Sequence, residues 1–245
     1  YGSNDWTDSQ LMMMLNPTDY LKSGYTIDNN IVKDNKGQAI YQNMGSYYNG
    51  TSGCKPAEVA SGADFSCTSI DFTSTGLKND STRNAIETVV WNLGGTADYH
   101  SSSNGLASHW YGYERGTTVY GGRPTTWTGK IGLMYPSDYG YATSGGTTTN
   151  RASCLAKELY NWDGSGVSDC KNNDYLYKSS YDQWTLTHES SNSEGAFYVY
   201  SKGCVIYGDY RVFNNYGVRP AAYLKSSISL SSVGDGSSTS PYQLK

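Results

Sequence analysis

Cysteine, histidine and paired carboxylates are the side chains with the strongest intrinsic chemistry, and their spacing in this chain is informative mainly for what it excludes. The five cysteines are Cys54, Cys67, Cys154, Cys170 and Cys204. None forms a CxxC pair, which disfavours a zinc ribbon or a thioredoxin-type motif. Cys54 with Cys67, and Cys154 with Cys170, instead form two local pairs, each bracketing a Gly/Ser/Asp-rich loop without apolar periodicity. Closing loops of that size stabilises a fold by roughly 3 kcal/mol each. It also implies an oxidising compartment, a better fit to a loop-rich, Lys-poor chain than five reduced thiols in an intracellular protein. Cys204 is left over.

The histidines, His100, His109 and His188, lie far apart and show no metal-ligand spacing, so surface or hydrogen-bonded core roles are expected and no metal or other cofactor. The chain has no GxSxG elbow, no phosphate loop and no GxGxxG after a strand. Residues 163–169 superficially resemble a calcium loop but lack its Gly at position six and its Glu at position twelve. Glu114-Arg115 reads as a structural ion pair or hydrogen-bond anchor rather than a catalytic acid. No carboxylate pair stands out, so the expectation is a protein that is not an enzyme. A carbohydrate-active enzyme with carboxylates that meet only in space is an alternative.

The strongest signal is a composition. Between His188 and Tyr216 the chain presents Phe197, Tyr198, Tyr200, Tyr207, Tyr210, Phe213 and Tyr216 among Ser, Asn, Asp and Gly. Such mixtures suit recognition surfaces, because Tyr supplies a large amphipathic contact at low entropy cost and small polar residues adapt their hydrogen bonds. Strand propensity alone is the competing explanation. Alternation puts Phe197 and Val199 on one face and Tyr198 and Tyr200 on the other.

The elements that must position this stretch are short. Residues 5–15, 81–93 and 151–162 carry helical apolar spacing, with Ile86, Val89, Val90 and Leu93 forming one clean face. Residues 131–135, 196–200, 204–207, 210–213 and 218–224 are β-prone, and the last four read as an antiparallel meander linked by tight Gly turns. Residues 226–245 read as a Ser/Gly-rich edge or tail. No composition break or repeat divides the 245 residues, so one domain over 1–245 is expected. Few Leu, Ile, Val and Phe would suggest disorder, but 24 Tyr and 6 Trp supply buried area, and a net charge of −4 gives little self-repulsion. That weakly acidic balance argues against nucleic acid as a partner. No apolar run approaches the ~20 residues of a membrane span, so no membrane insertion by this segment is expected. The chain starts at Tyr1 with no initiator Met, as an excised piece would, leaving any anchor upstream.

The run Trp184-Thr185-Leu186-Thr187, the Tyr/Ser-rich stretch around Gly203, and Gly217-Val218-Arg219-Pro220-Ala221 followed by Tyr223-Leu224 resemble the end of a family of bacterial surface proteins. Several members of that family look like relatives of the formylglycine-generating-enzyme branch of the C-type-lectin fold. The middle segments, Glu114-Arg115-Gly116, Arg123-Pro124-Thr125-Thr126-Trp127-Thr128-Gly129-Lys130 and Leu133-Met134-Tyr135-Pro136-Ser137-Asp138-Tyr139-Gly140-Tyr141-Ala142, are similar to gut-bacterial proteins that often carry a pilin-like anchor. Together these cover about half the chain. The resemblance extends to the variable proteins of diversity-generating retroelements, in which adenine-directed mutagenesis diversifies codons near the C-terminus. It implies an α+β, C-type-lectin-like fold of mixed short antiparallel strands with two or three amphipathic helices. It implies a binding face at His188, Gly195, Phe197, Tyr200, Cys204, Tyr207, Asp209, Tyr210, Phe213, Asn214 and Asn215, with Trp184, Gly203, Gly217, Arg219 and Pro220 as framework. The calcium motif of sugar-binding lectins and the cysteine pair of the sulfatase-activating enzymes have no match here, so neither calcium nor catalysis is implied. The expected function is ligand binding, adhesin- or receptor-like, by a secreted or cell-surface protein. Its ligand would be a protein or glycan on another cell or on a phage or host surface. A pilus or surface-fibre subunit is the structural alternative.

Overall fold

Strand alternation decides how the Tyr-rich stretch is built. In a computed structural model, which describes residues 4–16, 26–28, 31–33, 85–99, 104–207, 212, 214–235, 239–240 and 242–243, that stretch enters an antiparallel sheet. We label its strands β6 (Gln183–His188), β7 (Ala196–Val199) and β8 (Val205–Tyr207), in the order β6-β7-β8. Phe197 pairs with Tyr207 and Val199 with Val205, so these four side chains share one face. Tyr198 pairs with Trp184 and Ile206, and this set shares the other face. Both faces are covered, so every residue of β6 and β7 is buried. Gly203, at φ +105°, makes the turn into β8, as its place in the sequence predicts.

The face carrying Trp184 and Tyr198 packs on one core built from Trp6, Leu11, Met12, Leu15, Trp91, Leu93, Ile131 and Leu133. The opposite face packs on Trp110, Tyr139, Leu159 and Trp162, beside the Cys154–Cys170 disulfide. Four further strands belong to the first core's surroundings: β3 (Val89–Asn92) pairs antiparallel with β4 (Thr126–Gly129), and β5 (Ile131–Leu133) with β9 (Pro220–Ala222). β1 (Thr26–Asp28) pairs antiparallel with β2 (Ile31–Lys33). The helices are α1 (Gln10–Leu15), α2 (Ala107–Glu114), α3 (Pro136–Ala142), α4 (Arg151–Leu155) and α5 (Ser168–Asn172). The chain is thus a mixed α+β fold of short antiparallel strands and a few helices.

Three expectations are corrected. The helix expected over 81–93 does not extend past Ala85 among the described residues, and β3 takes its place from Val89: Val89 and Val90 are β-branched, and Trp91 pairs with Trp127 across the ribbon. Burial follows a period of two, with Trp91 and Leu93 inside and Val90 62 % exposed. The helix over 5–15 is divided, because Ser9 sits in an extended conformation after a 3₁₀ turn (Trp6–Asp8) and its hydroxyl caps α1 by accepting the Met12 N–H. The helix over 151–162 ends at Leu155. The chain extends at Glu158 and resumes as a 3₁₀ turn (Leu159–Asn161), because the Leu159 N–H is drawn to the Gly105 carbonyl.

The run 218–224 yields β9, which leaves the expected meander and pairs with β5. Of the strand expected over 210–213 only Val212 is described, buried in the first core with its N–H on the Glu194 carbonyl; Cys54 and Cys67 lie outside the described residues. Residues 226–235 are mostly exposed and fold back, with the Ser231 N–H on Gln243 and the Asp235 N–H on Ser240. Among the described residues no helix is long and apolar enough to cross a membrane.

Candidate functional site

The edge of the first core comes to the surface at Tyr200 and Tyr216. Trp184 and Tyr198 are buried, while Tyr200 and Tyr216 are half-buried. Trp184 and Tyr198 lie 4.5 and 4.6 Å from Tyr216 between ring centroids, both tilted. Tyr200 meets Tyr198 edge-on at 6.4 Å. The four rings form a ladder that starts in the core and ends in solvent, so its outer members are stiffened from below. Asn214 Nδ2 donates to the Tyr216 hydroxyl at 2.9 Å, Asn215 is exposed, and the Lys202 ammonium lies 5.5 Å over the Tyr200 ring.

The segment before β6 frames the patch from the side. The Gly217 N–H donates to the Asp182 carbonyl, and the Trp184 N–H to the Gly217 carbonyl. Tyr181, largely exposed, covers Gly217 so closely that a Cβ there would fall 2.4 Å from the ring. A side chain at 217 would therefore have to push the Tyr181 ring aside.

The residues expected to form a single face do not share one. Tyr200, Asn214 and Asn215 belong to the patch. Tyr207 is half-buried on the opposite side of the sheet, 5.0 Å from Tyr99 and 5.9 Å from Phe197. Phe197 itself is fully buried against Trp110, at 4.7 Å. His188 is 4 % exposed, and its Nε2 has no hydrogen-bond partner among the described residues. Gly195 is buried in the turn after β6, where a Cβ would come within 2.9 Å of Glu189 Cβ and its carbonyl accepts Asn4 Nδ2. Cys204 is a buried free thiol. Asp209, Tyr210 and Phe213 lie outside the described residues. The physical reason for the division is the pleat: Phe197 and Tyr207 point away from Tyr198 and Tyr200, whatever their composition suggests. The alternation was already visible in the sequence. The Tyr-rich stretch includes Tyr216, but its composition does not mark Tyr181 or Lys202, because Tyr181 reaches the patch only through its contact with Gly217 and Lys202 only by standing over the Tyr200 ring.

The electrostatics suit contact better than proton transfer. Burial, then the hydrogen bond with Tyr216, pushes the Tyr198 phenol well above its ordinary range. Burial pushes the Cys204 thiol up to about 11, so it stays protonated and is a poor nucleophile. Burial, with Arg123 nearby, lowers His188 to about 4, leaving it neutral. Among the described residues no three His, Cys, Asp or Glu side chains converge in a way that could hold a metal ion. Compared with protein-family models, with curated proteins and with solved structures, the chain matches none.

Proposed function

We propose that this chain is an extracellular or cell-surface ligand-binding protein, adhesin- or receptor-like, that contacts its ligand through Tyr200, Asn214, Asn215 and Tyr216. The carrying observation is the ring ladder: two tyrosines reach solvent while braced by Trp184 and Tyr198 in the core. Such rings bind with little ordering cost, and the neighbouring amides supply adaptable hydrogen bonds. The ligand is a protein or glycan on another cell or on a phage or host surface, bound without a cofactor and without nucleic acid. The Cys154–Cys170 disulfide supports a location outside the reducing cytosol. On this reading the α+β framework is C-type-lectin-like, and codon diversification falls on positions that reach the surface, such as Tyr200, Asn214 and Asn215, rather than on buried Phe197 or Gly195.

The test is a screen of the purified protein against glycan and surface-protein arrays, followed by Tyr200→Ala and Asn215→Ala on any ligand found. Each substitution is expected to weaken binding at least tenfold with the thermal midpoint held. Unchanged affinity in both would overturn the site. Exposed Tyr223, Leu224, Leu230 and Val233 support a second reading as a fibre subunit. Concentration-dependent assembly in sedimentation would favour it.

A further inference from the structure

The turn between β7 and β8, residues 201–203, is held in an unusual way. Surface turns ordinarily leave their carbonyls to water. Here each successive carbonyl accepts a side chain from a different place in the scaffold. The Tyr177 hydroxyl donates to the Ser201 carbonyl at 2.7 Å. Lys171 Nζ, from α5, donates to the Lys202 carbonyl at 2.5 Å. The Tyr139 hydroxyl, from α3, donates to the Gly203 carbonyl at 2.7 Å. The Ser201 N–H donates to Asp182 Oδ1 at 2.8 Å. Within the turn, the Gly203 N–H donates to the Tyr200 carbonyl at 2.7 Å, and the Tyr200 N–H to the Cys204 carbonyl at 2.8 Å. The Lys171 stem also packs on Gly203, where a Cβ would sit 2.2 Å from its Cδ.

The side chains of the turn behave in the opposite way. Among the described residues neither Ser201 Oγ nor Lys202 Nζ makes a hydrogen bond to the protein, and Lys202 is exposed. The main chain is therefore fixed by scaffold hydrogen bonds, while the only contact shown for its two outward side chains among the described residues is the Lys202 ammonium over the Tyr200 ring.

We infer that residues 201–203 form a preset recognition tip: Tyr177 and Asp182 are positioning residues that act through the main chain, and positions 201 and 202 are exchangeable specificity positions beside Tyr200. This rests on the binding reading above and deepens it, since a tip ordered before contact costs nothing to order on binding. It also adds position 201 to the site and gives Lys202, already beside Tyr200, a role in specificity.

The experiment is amide hydrogen exchange by NMR on the unliganded protein, read at Gly203, whose own acceptor none of the substitutions touches. Tyr177→Phe and Asp182→Ala are each expected to speed exchange there at least tenfold, while the amides of β3 and β4 keep their protection. Asp182→Asn retains an acceptor for the Ser201 N–H and is expected to restore the slow rate to within about threefold. Ser201→Asn and Lys202→Thr are expected to leave both the rate and the thermal midpoint unchanged. Unchanged Gly203 exchange in both Tyr177→Phe and Asp182→Ala, or accelerated exchange in Lys202→Thr, overturns the inference. If Asp182→Ala loses protection everywhere, Tyr177→Phe decides alone. No ligand enters the measurement, so a tip that behaves as expected in a protein for which no ligand is found defeats only the binding reading.

Discussion

Glu114 ends α2 with a carboxyl that has no exposed surface. One oxygen accepts the Ser137 N–H at 2.8 Å and the other accepts the Ser137 hydroxyl, so the side chain ties α2 to the start of α3. Arg115 Nη1, at 3.1 Å, and the Ser137 bonds favour the ionised form, but burial outweighs them and pushes the carboxyl up to about 8. An unfolded chain releases that proton near the ordinary carboxylate value of roughly 4.3. Between the two values the folded state binds more protons. The contribution to stability is thus complete below the lower value, falls as pH rises, and is lost as pH passes about 8. The slope for one proton is at most about 1.4 kcal/mol per pH unit. Asp174, also raised to about 8 chiefly by burial, acts in the same direction, so the difference between wild type and Glu114→Gln isolates one group. Urea midpoints across this range should fall with pH in wild type and fall less steeply in Glu114→Gln; parallel slopes would remove this account. The sequence already marked Glu114-Arg115 as structural. It could not reveal Ser137, which supplies the bonds and lies 23 positions away.

At the scale of elements, α4 and α5 are too short to be stable alone, and the Cys154–Cys170 disulfide joins them across 16 residues. Replacing both cysteines by Ser should cost roughly 3 kcal/mol in chemical denaturation, since the bond chiefly restricts the unfolded chain. A loss near zero would mean that the Thr148 and Thr149 contacts to Asp169 already hold the loop. This clamp was legible because its partners are local and the intervening sequence has nothing else to fix it. The strand β3 was not. Ile86, Val89, Val90 and Leu93 satisfy a helical template, yet the chain is extended because β4 offers Trp127 opposite Trp91 and the Gly129 carbonyl to the Trp91 indole N–H, at 3.1 Å. Likewise β9 abandons the adjacent β8 for β5, with Gly132 letting the Trp91 ring approach to where a Cβ would stand. Both errors concern partners that periodicity, a local property, does not encode.

Across the whole molecule, the β6-β7-β8 sheet separates two packed regions, and the candidate site draws on only one of them. Sequence composition drew the candidate site from a single stretch, but mixed side chains from the two faces of one sheet. What it lacked was the knowledge that both faces are covered, which turns Phe197, His188 and Cys204 into interior groups. A surface that varies or meets partners must not also hold the fold together, and this separation is measurable. Phe197 touches Trp110, Tyr99 and Tyr207, and truncation to Ala should cost about 3–5 kcal/mol, because the surrounding rings cannot close the cavity. Tyr200 is three positions along the same strand direction yet meets Tyr198 only edge-on, so Tyr200→Ala should cost under about 1 kcal/mol. Urea denaturation of the two variants decides the point. A Tyr200→Ala loss comparable to that of Phe197→Ala would make the ring a core element, and the ladder would then be a brace for the sheet with no surface left for a partner.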